Sequence, residues 1–222
     1  VSTNPKLSLL EEYALVARAV SAPARLMLLE QLAQGPRGVE GLAEKTSLTV
    51  ANCSQHLQQL RRSGLVTSRR EGKAVIYQLT DAKTLDLMDL LRLLAERNLA
   101  RVEHILRGLS DGEDAPEPLS RDELAARLAD GSVTVLDMRP VDEYELAHIP
   151  GALNINLADL EQLLPSLDAS KEIVAYCRGP YCVYSHQAVA ALRRHGLIAR
   201  RLEGGLPEWR EEGREVKTIS WD

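Results

Sequence analysis

Glu172-Ile173-Val174-Ala175-Tyr176-Cys177-Arg178-Gly179-Pro180-Tyr181-Cys182-Val183-Tyr184-Ser185 reads as an apolar strand, a tight loop and the start of a helix, with a thiol at the strand's end. Backbone N–H groups of such a loop, with the N-terminus of the following helix, converge on one point and form a nest for an anion. That environment favours the thiolate of Cys177 and predicts a depressed thiol pKa and raised nucleophilicity. Pro180 supplies no N–H, so the nest is expected from Arg178, Gly179, Tyr181, Cys182 and Val183, with Gly179 free to take a positive φ. Arg178 is expected to add a mobile cation.

Outward from this loop stand Val135-Leu136-Asp137-Met138-Arg139-Pro140, Asp142-Glu143-Tyr144, His148-Ile149-Pro150-Gly151-Ala152 and, beyond it, Gly204-Gly205-Leu206-Pro207-Glu208-Trp209. In this order the motifs resemble a single-domain rhodanese over about residues 118–222, with one departure, Ala147, where that family usually has Gly. The resemblance implies that Cys177 takes a sulfane sulfur as a persulfide and passes it to a thiol acceptor. It also implies that Asp137 and Arg139 brace the loop and pair with acidic neighbours such as Glu143, and that His148 is a structural hydrogen-bonder. Phosphatase and arsenate-reductase relatives of the fold carry Arg six positions after the cysteine; Val183 stands there, and the shorter loop suits sulfur better than a tetrahedral oxyanion. Ser185 and His186, one turn into the following helix, are candidate rim residues. Ser120-Arg121-Asp122-Glu123 has capping-box spacing, Val133 to Leu136 is a buried strand, and alternating strands and helices imply a parallel sheet covered on both faces.

The chain has 222 residues, 45% hydrophobic, long enough for two cores, and lacks Phe, so Leu and Val must fill them. Without an 18-residue apolar run or an amino-terminal signal pattern, the expectation is a cytoplasmic protein with no membrane contact. Three cysteines argue against a disulfide framework and for reactive thiols in a reducing compartment. Charge is split: residues 1–109 carry 15 Lys and Arg against 11 Asp and Glu, whereas the remainder carries 12 against 21. The amino-terminal half therefore suits nucleic acid and the carboxy-terminal half does not.

In that basic half, residues 7–20 have helical spacing, Ser21 is placed to cap a helix with Pro23 in its first turn, and Gly35-Pro36 ends it. A short helix from Gly38 to Lys45, a turn at Thr46-Ser47-Leu48 and a helix from Thr49 to Ser63, closed by Gly64, predict a helix-turn-helix. Leu65 to Arg69 and Ala74 to Leu79 around Gly72 predict a β-hairpin wing. With His56-Leu57-Gln58-Gln59-Leu60-Arg61-Arg62-Ser63-Gly64-Leu65-Val66, this half resembles the ArsR/SmtB winged-helix repressors over about residues 7–108. The resemblance implies that Asn52, Ser54, Gln55 and His56 enter the major groove, with Arg69, Arg70 and Lys73 of the wing on phosphate or in the minor groove. Val50, Cys53, Leu57 and Leu60 share the core face, which makes Cys53 a small buried hydrophobe. Metal-sensing relatives need several ligands; residues 39–44 lack Cys and residues 82–108 offer only His104, so no metal and no other cofactor is expected.

Leu85, Met88, Leu91, Ala95, Leu99, Val102 and Leu106 repeat at threes and fours, predicting one long helix from Asp81 to about Leu109. With the first helix it resembles the dimer layer of the ArsR/SmtB family, which implies a homodimer. The expected organisation is a mainly α winged-helix domain at 1–109, an acidic linker at 110–117 and an α/β rhodanese domain with a parallel sheet at 118–222. Together these imply a homodimeric regulator of double-stranded operator DNA whose affinity is tuned by persulfide formation at Cys177. Two alternatives stay open: a sulfurtransferase with an accessory DNA-binding module, and a thiol sensor of arsenite or electrophiles using Cys177 and Cys182. Cys182 itself is either a second thiol able to resolve a Cys177 persulfide or a packed small side chain.

Overall fold

The computed structural model describes residues 4–109, 116–179 and 182–218, so most of the expected linker, and Pro180 and Tyr181 of the thiol loop, lie outside the described residues. Two compact units divide the chain, Val1–Met88 and Asp89–Asp222.

Asn4 opens the first unit by accepting the Lys6 and Leu7 N–H groups at the start of α1 (Pro5–Ala19). α2 (Pro23–Gln34) follows with Ala22 as its N-cap; Ser21 turns back to donate to the Arg18 carbonyl at 2.8 Å, so the cap expected of Ser21 does not form. Pro23 instead sets the first turn, where a missing N–H costs nothing. β1 (Arg37–Gly38), α3 (Val39–Thr46), α4 (Val50–Arg62), β2 (Val66–Glu71) and β3 (Ala74–Leu79) complete the helix-turn-helix and wing. The two-residue β1, not visible in the sequence, pairs antiparallel with β3 and makes a three-stranded sheet in the order β1-β3-β2. Leu28, Leu29, Leu42, Cys53, Leu57 and Leu60 are fully buried, whereas Val50, expected in that core, is 49% exposed because it stands in the first turn of α4.

α5 (Lys83–Asn98) contains the division between the units, and α6 (Ala100–Leu109) follows. The single long helix expected over 81–109 is therefore two, broken at Leu99. Asn98 donates its side-chain amide to the Leu94 carbonyl at 2.8 Å, and an Asn that competes for backbone partners in this way is a poor helix former.

In the second unit come α7 (Arg121–Ala129), β4 (Val133–Asp137), α8 (Val141–Leu146), β5 (Leu153–Asn154), α9 (Leu160–Leu163), β6 (Glu172–Tyr176), α10 (Tyr184–Arg194), β7 (Ala199–Arg201) and α11 (Leu206–Glu211). The four strands are all parallel, in the order β5-β4-β6-β7, and Val133 to Asp137 pair in register with Glu172 to Tyr176. Alternation along the central strands divides the core between two faces. Val133, Val135, Val174 and Tyr176 pack with Trp209 on one, while Leu136, Ile173, Ala175 and Cys177 pack with Ala188 and Leu192 of α10 on the other. Among the described residues no helix is long and apolar enough to cross a membrane.

Candidate functional site

The thiol site stands at the carboxyl end of β6, where open α/β sheets place their ligands. Tyr176 and Cys177 are successive residues and so point to opposite faces. Each has a separate task.

Tyr176 is fully buried and its hydroxyl donates to Asp137 Oδ2 at 2.5 Å while accepting the Ile149 N–H at 3.1 Å. Burial, with the Asp137 charge adding to it, pushes this phenol well above its ordinary pKa. Asp137 and Arg139, both at 0% side-chain exposure, form an ion pair with Nη2 to Oδ2 at 2.6 Å. Arg139 Nε reaches Asp137 Oδ1 at 3.0 Å, its backbone N–H donates to the same oxygen at 2.9 Å, and Nη2 also reaches the Ala147 carbonyl at 2.6 Å. A buried pair so fully bonded meets the desolvation cost of two charges, which an incomplete one does not. It ties the end of β4, the end of β6 and the segment after α8 into one rigid floor beneath the loop. His148 belongs to that segment: Nδ1 lies 2.8 Å from the Tyr144 carbonyl, and its ring stacks on Tyr144 at 3.8 Å.

Arg178 is not the mobile cation that the sequence suggests. Its guanidinium is held against Glu143 of α8, with Nη2 to Oε1 at 2.8 Å and Nε to Oε2 at 3.0 Å, and the Glu143 side chain is 0% exposed. Glu143 thus takes the loop arginine, and Arg139 pairs with Asp137. The Cys182 N–H, expected in the nest, donates instead to the Gly179 carbonyl at 3.1 Å. Gly179 has φ +153°, a conformation that side chains disfavour.

Cys177 and Cys182 are joined as a disulfide with Cα atoms 6.1 Å apart, inside the range a disulfide spans. They are 1% and 6% exposed. In this oxidised form Cys177 has no thiol to titrate. Ser185 is buried at 5%, and His186 borders a cavity of about 430 Å³ with Arg201. Burial, with the Arg201 charge adding to it, lowers the His186 pKa to about 4.

Two contributors are not evident from residue types alone. Gly205 lies so close beneath the loop that a Cβ there would meet the Gly179 nitrogen at 2.5 Å, the Cys177 oxygen at 2.6 Å and the Arg178 carbonyl carbon at 2.7 Å. The Glu208 carboxylate accepts the Gly205 N–H at 2.8 Å, and burial keeps its pKa above the usual carboxylate range despite backbone N–H bonds that lower it. The Gly204-Gly205 pair was the only signal in the sequence for this close approach.

In the first unit, Thr49 caps α4 by accepting the Asn52 N–H at 3.2 Å. Asn52 and Gln55 are exposed, Ser54 and His56 are half-buried, and the buried Nδ1 of His56 has no partner among the described residues. Arg25 of α2 donates to Gln59 at 2.6 Å, fixing the α4 helix against α2. On the wing, Arg69 is engaged with Glu71 at 2.7 Å and with Gln78 at 2.5 Å, while Arg70 and Lys73 are exposed with no partner among the described residues. Cys53 is buried, with Sγ 3.6 Å from the Val39 carbonyl, and burial raises its pKa to about 11. Among the described residues no group of three or more His, Cys, Asp or Glu is arranged to hold a metal ion.

A winged helix and a strand-end cysteine loop of rhodanese type on one polypeptide define a DNA-binding regulator with a rhodanese-like domain. Residues 120–212 match the rhodanese-like domain family, and residues 22–68 match the bacterial regulatory protein, arsR family. The HTH-type transcriptional regulator Rv0324 of Mycobacterium tuberculosis is 40% identical over 215 residues, covering 96% of this chain and 94% of the relative. A rhodanese-related protein from Thermoplasma volcanium is 27% identical with a TM-score of 0.42, covering 47% of this chain and 100% of that one. The homodimeric winged helix-turn-helix DNA-binding domain Mb0332 of Mycobacterium bovis is 34% identical with a TM-score of 0.41, covering 45% and 92%. The chain belongs to the ArsR-family HTH-type transcriptional regulators that carry a carboxy-terminal rhodanese-like domain.

Proposed function

We propose that this transcriptional regulator binds double-stranded operator DNA as a cytoplasmic homodimer and that persulfide formation at Cys177 changes its operator affinity. Residues 1–109 read and dimerise, 110–117 link, and 118–222 carry the sulfur chemistry. Asn52, Ser54, Gln55 and His56 address bases, while Arg70 and Lys73, and Arg69 once released from Glu71, address phosphate. Exposed apolar side chains on α1, including Leu7, Leu10 and Tyr13, support a second copy of the chain as partner. The observation that carries the reading is Cys177 at the end of the central strand β6, on a floor of Asp137, Arg139 and Tyr176, in a chain whose other unit is a winged helix. Arg178, Gly179, Pro180, Tyr181, Cys182 and Val183 make up the loop sequence that follows it.

Sulfur reaches Cys177 by thiolate attack on a sulfane-sulfur donor, and a thiol acceptor removes it. The test is a gel-shift titration of the reduced protein on the upstream DNA of its own gene, with and without inorganic polysulfide. A change in Kd of about tenfold, equivalent to about 1.4 kcal/mol, is expected, with loss of the response in Cys177→Ser. Equal affinity in both states, or an unaltered response in Cys177→Ser, rejects the proposal.

A further inference from the structure

Cys182 lies beside Cys177 for a definite structural reason. The Cys182 N–H donates to the Gly179 carbonyl at 3.1 Å, and with that bond made the Cys182 Cα lies 6.1 Å from that of Cys177. Both sulfurs then enter the same apolar cluster, beneath Leu136 and Met138 and against Ala188 of α10, where they are joined. The remaining thiol, Cys53, lies in the other unit, buried and with its pKa raised to about 11, and is unsuited to attack.

From this pairing we propose that Cys182 is a second catalytic thiol that discharges the Cys177 persulfide as hydrogen sulfide. The inference rests on Cys177 accepting sulfane sulfur, as proposed above. The Cys182 thiolate attacks Cys177 Sγ, the Cys177–Cys182 bond forms, and the bond from Sγ to the terminal sulfur breaks. Hydrosulfide leaves with the electron pair. The sulfane sulfur is reduced by two electrons, both drawn from the two cysteines, and no external oxidant is needed. The persulfide is thus transient and its product is the Cys177–Cys182 disulfide. With Cys177 buried in that state, a second sulfur is refused until a low-molecular-weight thiol reopens the pair by exchange.

The experiment uses the full chain, reduced, freed of reductant without air, exposed briefly to inorganic polysulfide and separated from excess donor. Intact and peptide mass spectra and released sulfide are then followed over time. Wild type is expected to pass from a Cys177 adduct of about +32 Da to a Cys177–Cys182 crosslink about 2 Da below the reduced mass, releasing one hydrogen sulfide per chain. In Cys182→Ser, and in Cys182→Ala as a second variant, the adduct should persist at least about tenfold longer with no sulfide released. A wild-type adduct that lives as long as in the variants, with no crosslink, overturns the role of Cys182 alone. If no chain, wild type included, ever acquires sulfur at Cys177, both this inference and the persulfide reading fall. The wild-type result decides the matter even where a variant folds poorly.

Discussion

Replacing Gly205 with alanine places one methyl group among three backbone atoms of the thiol loop, at 2.5, 2.6 and 2.7 Å. Ordinary contact begins near 3.4 Å, so the loop or the start of α11 must retreat by about 0.8 Å. Neither can do so cheaply. The loop is held by Arg178 on Glu143 and by the Leu206 N–H on the Cys177 carbonyl at 3.4 Å, and α11 is anchored by buried Leu206 and Trp209. Gly205 has φ −157°, extended backbone that alanine adopts without strain, so the effect is purely steric. Overpacking of this kind costs on the order of 3 kcal/mol, and the reduced entropy of the unfolded chain returns about 0.5–1 kcal/mol. The net expectation is a loss of about 2 kcal/mol in the second unit. Urea unfolding followed by tryptophan fluorescence measures it, and alkylation of reduced Cys177 reports whether the loop has moved. Gly213→Ala is the comparison: with φ +72° and no atom within 4 Å, it strains its own backbone but leaves the thiol loop in place. Wild-type unfolding and alkylation rates in Gly205→Ala refute the claim that Gly205 sets the loop.

Glu143→Gln removes the buried charge that holds Arg178 and is expected to lower stability by about 3 kcal/mol, read as a shift in the urea midpoint. Thr49→Ala deletes the cap of α4, the helix proposed to address bases; a loss of about 1 kcal/mol in the first unit and weaker operator binding are expected by thermal melting and gel shift. His186 is neutral when folded, its pKa lowered to about 4 by burial and by Arg201, while the unfolded side chain titrates near about 6.5. Below about pH 6.5 the unfolded state binds a proton that the folded state refuses, so this contribution to stability falls as pH drops towards about 4 and is constant below. Discounted for partial exposure, the effect is on the order of 1–2 kcal/mol, and His186→Gln should flatten that part of the urea midpoint against pH; an unchanged slope rejects the assignment.

Local signals carried much of this molecule. The threes and fours of Leu, Thr49 before α4, the glycines at 64 and 72, and the β-prone runs around the wing depend on neighbours a few residues apart. Both folds, the winged helix and the parallel-sheet rhodanese-like domain, were therefore legible from residue order. Cys177 at the end of an apolar run was legible for the same reason, and Cys182 was visible as a possible partner. Where the reading erred, the outcome depended on competition. Ser21 had a better acceptor in Arg18, Asn98 interrupted a periodicity that apolar spacing alone continued, and Val50 fell in a first turn that the core does not cover.

Tertiary structure alone decided what surrounds the thiol. The order β5-β4-β6-β7 brings Asp137 beside Tyr176, 39 residues away, and α8 brings Glu143 beside Arg178, 35 residues away. Composition marks each group as polar but cannot say which charges will be taken out of water together, and burial makes pairing obligatory. Whether Cys182 would meet Cys177 rested likewise on a few ångströms of loop geometry. The bond from the Cys182 N–H to the Gly179 carbonyl and the floor under β6 set that distance, because a disulfide forms only where the folded backbone already holds its two ends within reach.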